Sequence, residues 1–146
     1  VLTLRDHYRL PGMKVLEFTL QPVGRYVRDL GEDRPRQIVY TGTHDNDTVQ
    51  AWYASLSASY RRKLRKYLKT QGFQSGTMAR RLILLGLRSR AALFVAPLQD
   101  VLSLGVAGRM NLPGAVGSPN WEWRLTDWSE TARQLKALRP AILARR

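Results

Sequence analysis

The strongest constraint on the fold is an alternation of two kinds of segment. Residues 13–18, 37–42 and 91–96 are short apolar runs, the second of them rich in β-branched and aromatic side chains, and each reads as a strand. The residues that follow the second and third runs carry helical patterns. Strand, helix, strand, helix, strand, helix is the order expected of an α/β protein with parallel strands. In such folds chemistry gathers at the C-terminal ends of the strands. Two of the three runs end in polar clusters, Thr43-His44-Asp45-Asn46-Asp47 and Gln99-Asp100. Three parallel strands leave two unpaired edges, so the chain is expected to be part of a larger sheet. Alone, it is expected to self-associate through those edges and its uncovered apolar side chains.

The helices can be placed by caps and spacing. Residues 2–9 form a helix stopped by Leu10-Pro11-Gly12. Asp47 or Thr48 can cap a helix through Ala51, Trp52 and Leu56, with Asp47 favoured. Over 57–70, Leu56, Tyr60, Leu64 and Leu68 recur every four residues and make one apolar stripe. Residues 77–89 carry Met78, Leu82 and Leu85 on one face, and a last amphipathic helix starts at about Thr126. Residues 21–36 hold two Pro, two Gly and many charges and read as a connecting loop. A Gly/Pro-rich stretch runs from Gly105 to Pro119.

Charge needs weighing because the chain has 24 Lys plus Arg against 11 Asp plus Glu, a net charge of +13. The excess is local: residues 61–90 hold ten basic side chains and no acidic one, whereas residues 1–60 hold seven of each. A small basic module binding nucleic acid or another polyanion through 61–90 is the competing reading. Against it, the basic side chains Arg61, Arg62, Arg65 and Lys66 lie off the apolar stripe, as on any solvated helix face. No aromatic side chains alternate with them to stack bases, so nucleic acid is not the expected partner. Without cysteine there is no disulfide framework, zinc ribbon or thiol nucleophile, which fits a reducing compartment. No apolar run approaches the ~20 residues that span a bilayer, so no membrane partner is expected. The start, Val1-Leu2-Thr3-Leu4-Arg5, lacks an initiator Met and reads like the middle of a helix, so a portion before it is expected.

Five stretches, in order, carry a specific resemblance. They are Leu10-Pro11-Gly12-Met13-Lys14-Val15-Leu16, Tyr40-Thr41-Gly42-Thr43-His44-Asp45-Asn46-Asp47-Thr48, Pro97-Leu98-Gln99-Asp100, Ala107-Gly108-Arg109-Met110-Asn111-Leu112-Pro113-Gly114 and Asn120-Trp121-Glu122-Trp123-Arg124-Leu125. Together they resemble successive motifs of the 4-α-glucanotransferases (amylomaltases, or disproportionating enzymes) over about residues 4–125. The resemblance implies a (β/α)8 catalytic barrel of the α-amylase kind. On it, 13–18 looks like the sixth strand, 37–42 the seventh and 93–96 the eighth, with residues 1–10 the helix after the fifth. All 146 residues would then be the C-terminal segment of that domain, truncated at its N-terminus. It further implies a cytoplasmic enzyme that needs no cofactor and transfers α-1,4-glucan segments between maltooligosaccharides through a covalent glycosyl-enzyme. Such retaining chemistry needs a carboxylate nucleophile and a carboxylic acid ~5–5.5 Å apart. In the family these come from the fourth and fifth strands, so this chain alone is expected to be inactive and to need the rest of the barrel as its partner. One stretch departs from the pattern: Leu20-Gln21-Pro22-Val23-Gly24-Arg25 is not the acidic, aromatic-containing loop that relatives often carry there.

Residue by residue, the resemblance makes Asp45 the third carboxylate, which holds sugar hydroxyls and stabilises the oxocarbenium-like state. His44 matches the neighbour that hydrogen-bonds the same sugar, and Asn111 lies in a loop that approaches the glucan. Taken singly, Asp45 could be a cap or an Asx-turn residue, but within the intact motif the site role is favoured. His44 alone would be an ordinary loop histidine, and with only His7 besides it a His-based metal site has little support. Asp100 is expected to cap a short helix over 100–104 or to pair with Arg109. Trp121 and Trp123, two apart on an expected strand, are read as packing residues rather than a sugar-stacking pair. Ser75, Ser103 and Ser118 lie in no motif that suggests a nucleophile.

Overall fold

The structure, a computed structural model, describes residues 2–23, 26–27 and 36–145. The elements are α1 (Leu2–His7), β1 (Gly12–Val15), α2 (Leu16–Thr19), β2 (Pro22–Val23), β3 (Tyr26–Val27), β4 (Gln37–Tyr40), α3 (Val49–Ser55), α4 (Ala58–Thr70), α5 (Met78–Arg88), β5 (Leu93–Val95), α6 (Leu98–Val101) and α7 (Trp128–Leu143). A single 3-10 turn, Val106–Gly108, interrupts the Gly/Pro-rich stretch. Strands β1, β4 and β5 form one parallel sheet in that order, with Met13 opposite Ile38 and Ile38 opposite Leu93. The short strands β2 and β3 pair antiparallel inside the segment expected to be a connecting loop. The rest of that segment, residues 24, 25 and 28–35, lies outside the described residues.

The helices follow from their caps and stripes. Thr48, Ser57, Thr77 and Asp127 each accept a hydrogen bond from the backbone N–H three residues on and so start α3, α4, α5 and α7. Thr48, not Asp47, therefore caps the helix after β4. Leu64 and Leu68 of α4 are buried, with Leu56 and Tyr60 packed beside them. On the other side of the same helix Arg62, Arg65, Lys66 and Lys69 are exposed. Met78, Leu82 and Leu85 of α5 join the same cluster with Leu16, Val39 and Val49. A second cluster seats Leu138 of α7 on Ile83 and Leu87.

Phe94 of β5 touches both clusters, and Gly86 of α5 is what lets it in. A Cβ on Gly86 would stand 2.0 Å from the Phe94 ring. The first run is shorter than its apolar content suggests: β1 ends at Val15, and Leu16–Thr19 coils into one helical turn. That turn buries Leu16 and Leu20 together, while the Thr19 hydroxyl donates to the Val15 carbonyl at 2.9 Å.

Only one face of the sheet is covered among the described residues. Val39 points into the helices, whereas Met13 is 66% exposed and Leu93 51% exposed on the other side. Parallel sheets normally have both faces covered. At the C-terminal ends of the strands lies a buried polar layer of Glu17, Thr41 and Asp100. Glu17 is 2% exposed, and its Oε1 has no hydrogen-bond partner among the described residues. Gly42 makes room for this carboxyl, since a Cβ there would sit 3.0 Å from Oε1. Burial, then the carboxylates of Asp100 and Asp47, push the Glu17 carboxyl up to about 8 from its ordinary 4.5, against the opposing pull of Arg109. Burial also raises Asp100, despite hydrogen bonds from Thr41 and Val49 that favour its charged form.

Two outcomes are expected. Gly86→Ala should destabilise the fold by about 1–2 kcal/mol, because overpacking against Phe94 outweighs the roughly 1 kcal/mol that Ala gains in a helix. An unchanged or raised denaturation midpoint would refute that packing. A raised folded-state pKa means that Glu17 binds its proton more tightly in the folded chain. Its contribution is therefore fully present below about 4.5 and is lost as the pH climbs through about 8. Glu17→Gln should thus gain stability relative to the parent as the pH is raised from about 5 to about 9. Parallel stability–pH curves for the two proteins would show that Glu17 carries no perturbed proton.

Candidate active site at the strand ends

The loop 42–48, between β4 and α3, is fixed by its neighbours before any functional side chain is considered. One oxygen of Asp100 accepts from the Thr41 hydroxyl at 2.6 Å and the other from the Val49 N–H at 2.8 Å. A single carboxylate thus holds both ends of the loop. Asp100 lies inside α6 and bonds inward, so it neither caps a helix over 100–104 nor pairs with Arg109. Within the loop, the Asn46 side-chain oxygen accepts from the Thr43 N–H at 2.9 Å and the Thr43 hydroxyl at 2.7 Å. The Asn46 N–H donates back to the Thr43 carbonyl at 3.1 Å, so reciprocal bonds keep 43–46 compact.

Arg109 braces the loop from the other side. Its guanidinium pairs with the Asp47 carboxylate, donates to the Asp45 backbone carbonyl at 3.1 Å, and donates to the Asn111 carbonyl at 2.9 Å. Asp47 is thereby committed to an ion pair rather than to a helix cap. In the sequence Arg109 is marked only as a motif member and a partner for Asp100. Its place inside Ala107-Gly108-Arg109-Met110-Asn111, beside a candidate site residue, was the available signal. Glu17 was missed as well, and its signal was a lone carboxyl within an apolar run at a strand's end.

The three residues singled out for the site come together. The Asn111 side-chain amide donates to Asp45 Oδ1 at 2.7 Å, and His44 Nε2 lies 3.4 Å from Asp45 Oδ2. The Asp45 side chain is 49% exposed, so its carboxylate is oriented by its neighbours and still open to a ligand. Beside it lies a cleft of about 180 Å³ lined by His44, Asp47, Pro97, Gln99, Arg109 and Trp121, among others. Trp121 departs from expectation. It lies in a turn rather than a strand, is 54% exposed, and packs at a tilt against His44 with ring centroids 5.0 Å apart. Among the described residues no group of three or more His, Cys, Asp or Glu side chains could hold a metal ion, and no helix is long and apolar enough to cross a membrane.

What this arrangement can do chemically is hold a neutral polar ligand. An oriented carboxylate accepts hydroxyl hydrogens, and an imidazole and an amide flank it. The 4-alpha-glucanotransferase family profile matches residues 1–131. The chain is 43% identical over 131 residues to the 4-alpha-glucanotransferase of Thermus thermophilus, and 40% identical over 137 residues to that of Synechocystis sp.; each alignment covers 26% of the relative. A chloroplastic/amyloplastic 4-alpha-glucanotransferase of Solanum tuberosum is 35% identical over 145 residues, 97% of this chain and 25% of that protein. The chain therefore spans about a quarter of the length of these relatives. Among solved structures, the Streptococcus agalactiae amylomaltase in complex with acarbose superposes with a TM-score of 0.78 at 21% identity, over 96% of this chain and 29% of that one. The Corynebacterium glutamicum amylomaltase gives 0.66 at 16% identity, over 97% and 26%. The α/β fold is thus that of amylomaltase over this span, and with the family profile matched over 131 of its 146 residues, the chain belongs to the 4-alpha-glucanotransferase family.

Proposed function

We propose that these residues are the C-terminal part of a (β/α)8 barrel, with β1, β4 and β5 as its sixth, seventh and eighth strands. The parent enzyme transfers α-1,4-glucan segments between maltooligosaccharides by a retaining double displacement. One observation carries the reading: Asp45, at the C-terminal end of the middle strand, is held by Asn111 at 2.7 Å and flanked by His44 at 3.4 Å while its carboxylate stays open. Positive charge develops on the sugar ring in the transition state of glycosyl transfer. A fixed carboxylate beside that ring accepts its hydroxyl hydrogens and stabilises the charge, and needs no reorganisation to do so. His44 and Asn111 hold the same sugar and keep Asp45 in place. No cofactor enters this chemistry.

The other carboxyls near the cleft are already engaged. Asp47 is paired with Arg109, and both oxygens of Asp100 are bonded to the chain. A retaining reaction needs two facing carboxyls ~5–5.5 Å apart. We therefore assign the nucleophile and the acid/base to the remaining part of the barrel, which also covers the open sheet face and its edges. The lack of cysteine suits a reducing compartment, and we place the enzyme in the cytoplasm.

The 146-residue chain alone, incubated with maltotriose, is expected to leave it unchanged. Glucose and longer oligosaccharides appearing would overturn the division of labour. In the full-length enzyme, Asp45→Asn should lower kcat/KM on maltotriose by roughly 10²–10³-fold. Because Asp45 is half exposed, the melting temperature should move little. Unimpaired disproportionation by that variant would remove Asp45 from the reaction.

A further inference from the structure

We propose that Trp121 is a positioning residue for this transfer reaction, and that its indole, packed against His44, fixes the imidazole beside Asp45. The inference rests on the glucan-transfer reading above. His44 needs such support because 56% of its side chain is exposed. Its contact with Asp45 at 3.4 Å is longer than a strong hydrogen bond. The indole lies 5.0 Å from the imidazole, centroid to centroid, at 41° between planes. That tilted contact is of the attractive aromatic kind, and it removes freedom that an exposed histidine would otherwise keep.

The backbone at Trp121 points the same way. Its φ is 63°, the left-handed region that a bulky side chain seldom occupies. Such a conformation persists only where the surroundings over-determine it. Here a clasp does so: the Trp121 N–H donates to the Met110 carbonyl at 2.7 Å, and the Asn120 side chain closes the loop from within. Asn120 Oδ1 accepts from the Leu112 N–H at 2.8 Å, and its amide donates to the Ala115 carbonyl at 3.0 Å. The loop 111–121 is therefore shut at its neck, and its two ends serve one place. Asn111 reaches Asp45 from one end and Trp121 reaches His44 from the other. An indole used only for packing would be buried, but this one is exposed and lines the cleft.

Two measurements on the full-length enzyme test this together. The first is the NMR shift of the His44 ring protons, assigned by the signals that His44→Ala removes. Trp121→Gly should shift the His44 signals downfield by removing the ring current. Glycine suits a φ of 63°, so this variant relieves the backbone rather than straining it. The second is a double-mutant cycle on maltotriose disproportionation. Trp121→Gly and Trp121→Ala should each lower kcat/KM about tenfold, and Trp121→Phe should recover most of that loss. In a His44→Ala background, Trp121→Gly should cost less than twofold more. Equal tenfold losses in both backgrounds would mean that the indole touches the sugar itself, and would overturn the proposal. So would an active enzyme whose His44 signals do not move, or a Trp121→Gly variant with normal kcat/KM. An enzyme showing the shift but leaving maltotriose unchanged would sink the transfer reading, and with it any positioning role in that reaction.

Discussion

The buried carboxylate of Asp100 is the interaction on which the rest of the arrangement depends. Its two oxygens reach Thr41 and Val49, the residues on either side of the loop that carries His44 and Asp45. Those contacts also tie α6, which follows β5, to the end of β4 and the start of α3. Burying a carboxyl away from water is costly unless it is hydrogen-bonded, and each bond to a charged partner contributes only about 1.5–3 kcal/mol. The raised pKa of Asp100 indicates that desolvation outweighs those bonds. The two bonds of Asp100 set geometry. They fix the span of the loop, so the loop need not choose its own shape.

That choice sets the electrostatics around it. Asp100 and Asp47 lie close enough to Glu17 to push its carboxyl further up, and the guanidinium of Arg109 pulls the other way. Arg109 spends its donors on Asp47 and on two backbone carbonyls, so it acts as a strut as well as a charge. Glu17, whose Oε1 has no partner among the described residues, is pushed up to about 8, which favours its protonated form beneath the loop. The glycine at position 42 is part of the same solution, because any side chain there would press on the Glu17 carboxyl.

How much of this could be read in the sequence depended on how local the cause was. The stripe on α4 and the apolar face of α5 follow from spacing alone, and both faces are the ones that pack. The parallel order of β1, β4 and β5 follows from the alternation of segments. The family resemblance of two separate motifs points His44, Asp45 and Asn111 to one glucan, and the structure brings the three together. What spacing does not show is which hydrogen bonds and packing contacts each residue takes up. Asp47 resembles a cap until Arg109, 62 residues on, takes its carboxylate and leaves Thr48 to cap α3. The apolar run after Gly12 bends into α2 because burying Leu16 and Leu20 on one side needs a helical spacing there. The alternation of Trp121 and Trp123 reads as a strand, whereas the left-handed φ of Trp121 and the Asn120 clasp beside it leave no periodic signal.

The same allocation of partners explains why one acid stands apart. Of the four carboxyls clustered at the strand ends, Asp100 is consumed by the loop's two anchors, Asp47 by Arg109, and Glu17 by burial. Asp45 is the one whose contacts orient it without enclosing it: an amide on one oxygen, an imidazole near the other, and Arg109 on its backbone. A carboxylate so placed can meet a developing positive charge with no rearrangement of its own, which is the condition for electrostatic stabilisation to be effective. Rigidity in the scaffold and openness at one group are therefore consequences of a single distribution of hydrogen bonds. Had Arg109 faced Asp45's carboxylate instead of its backbone, the same loop would have been equally well held and its one open acid already neutralised.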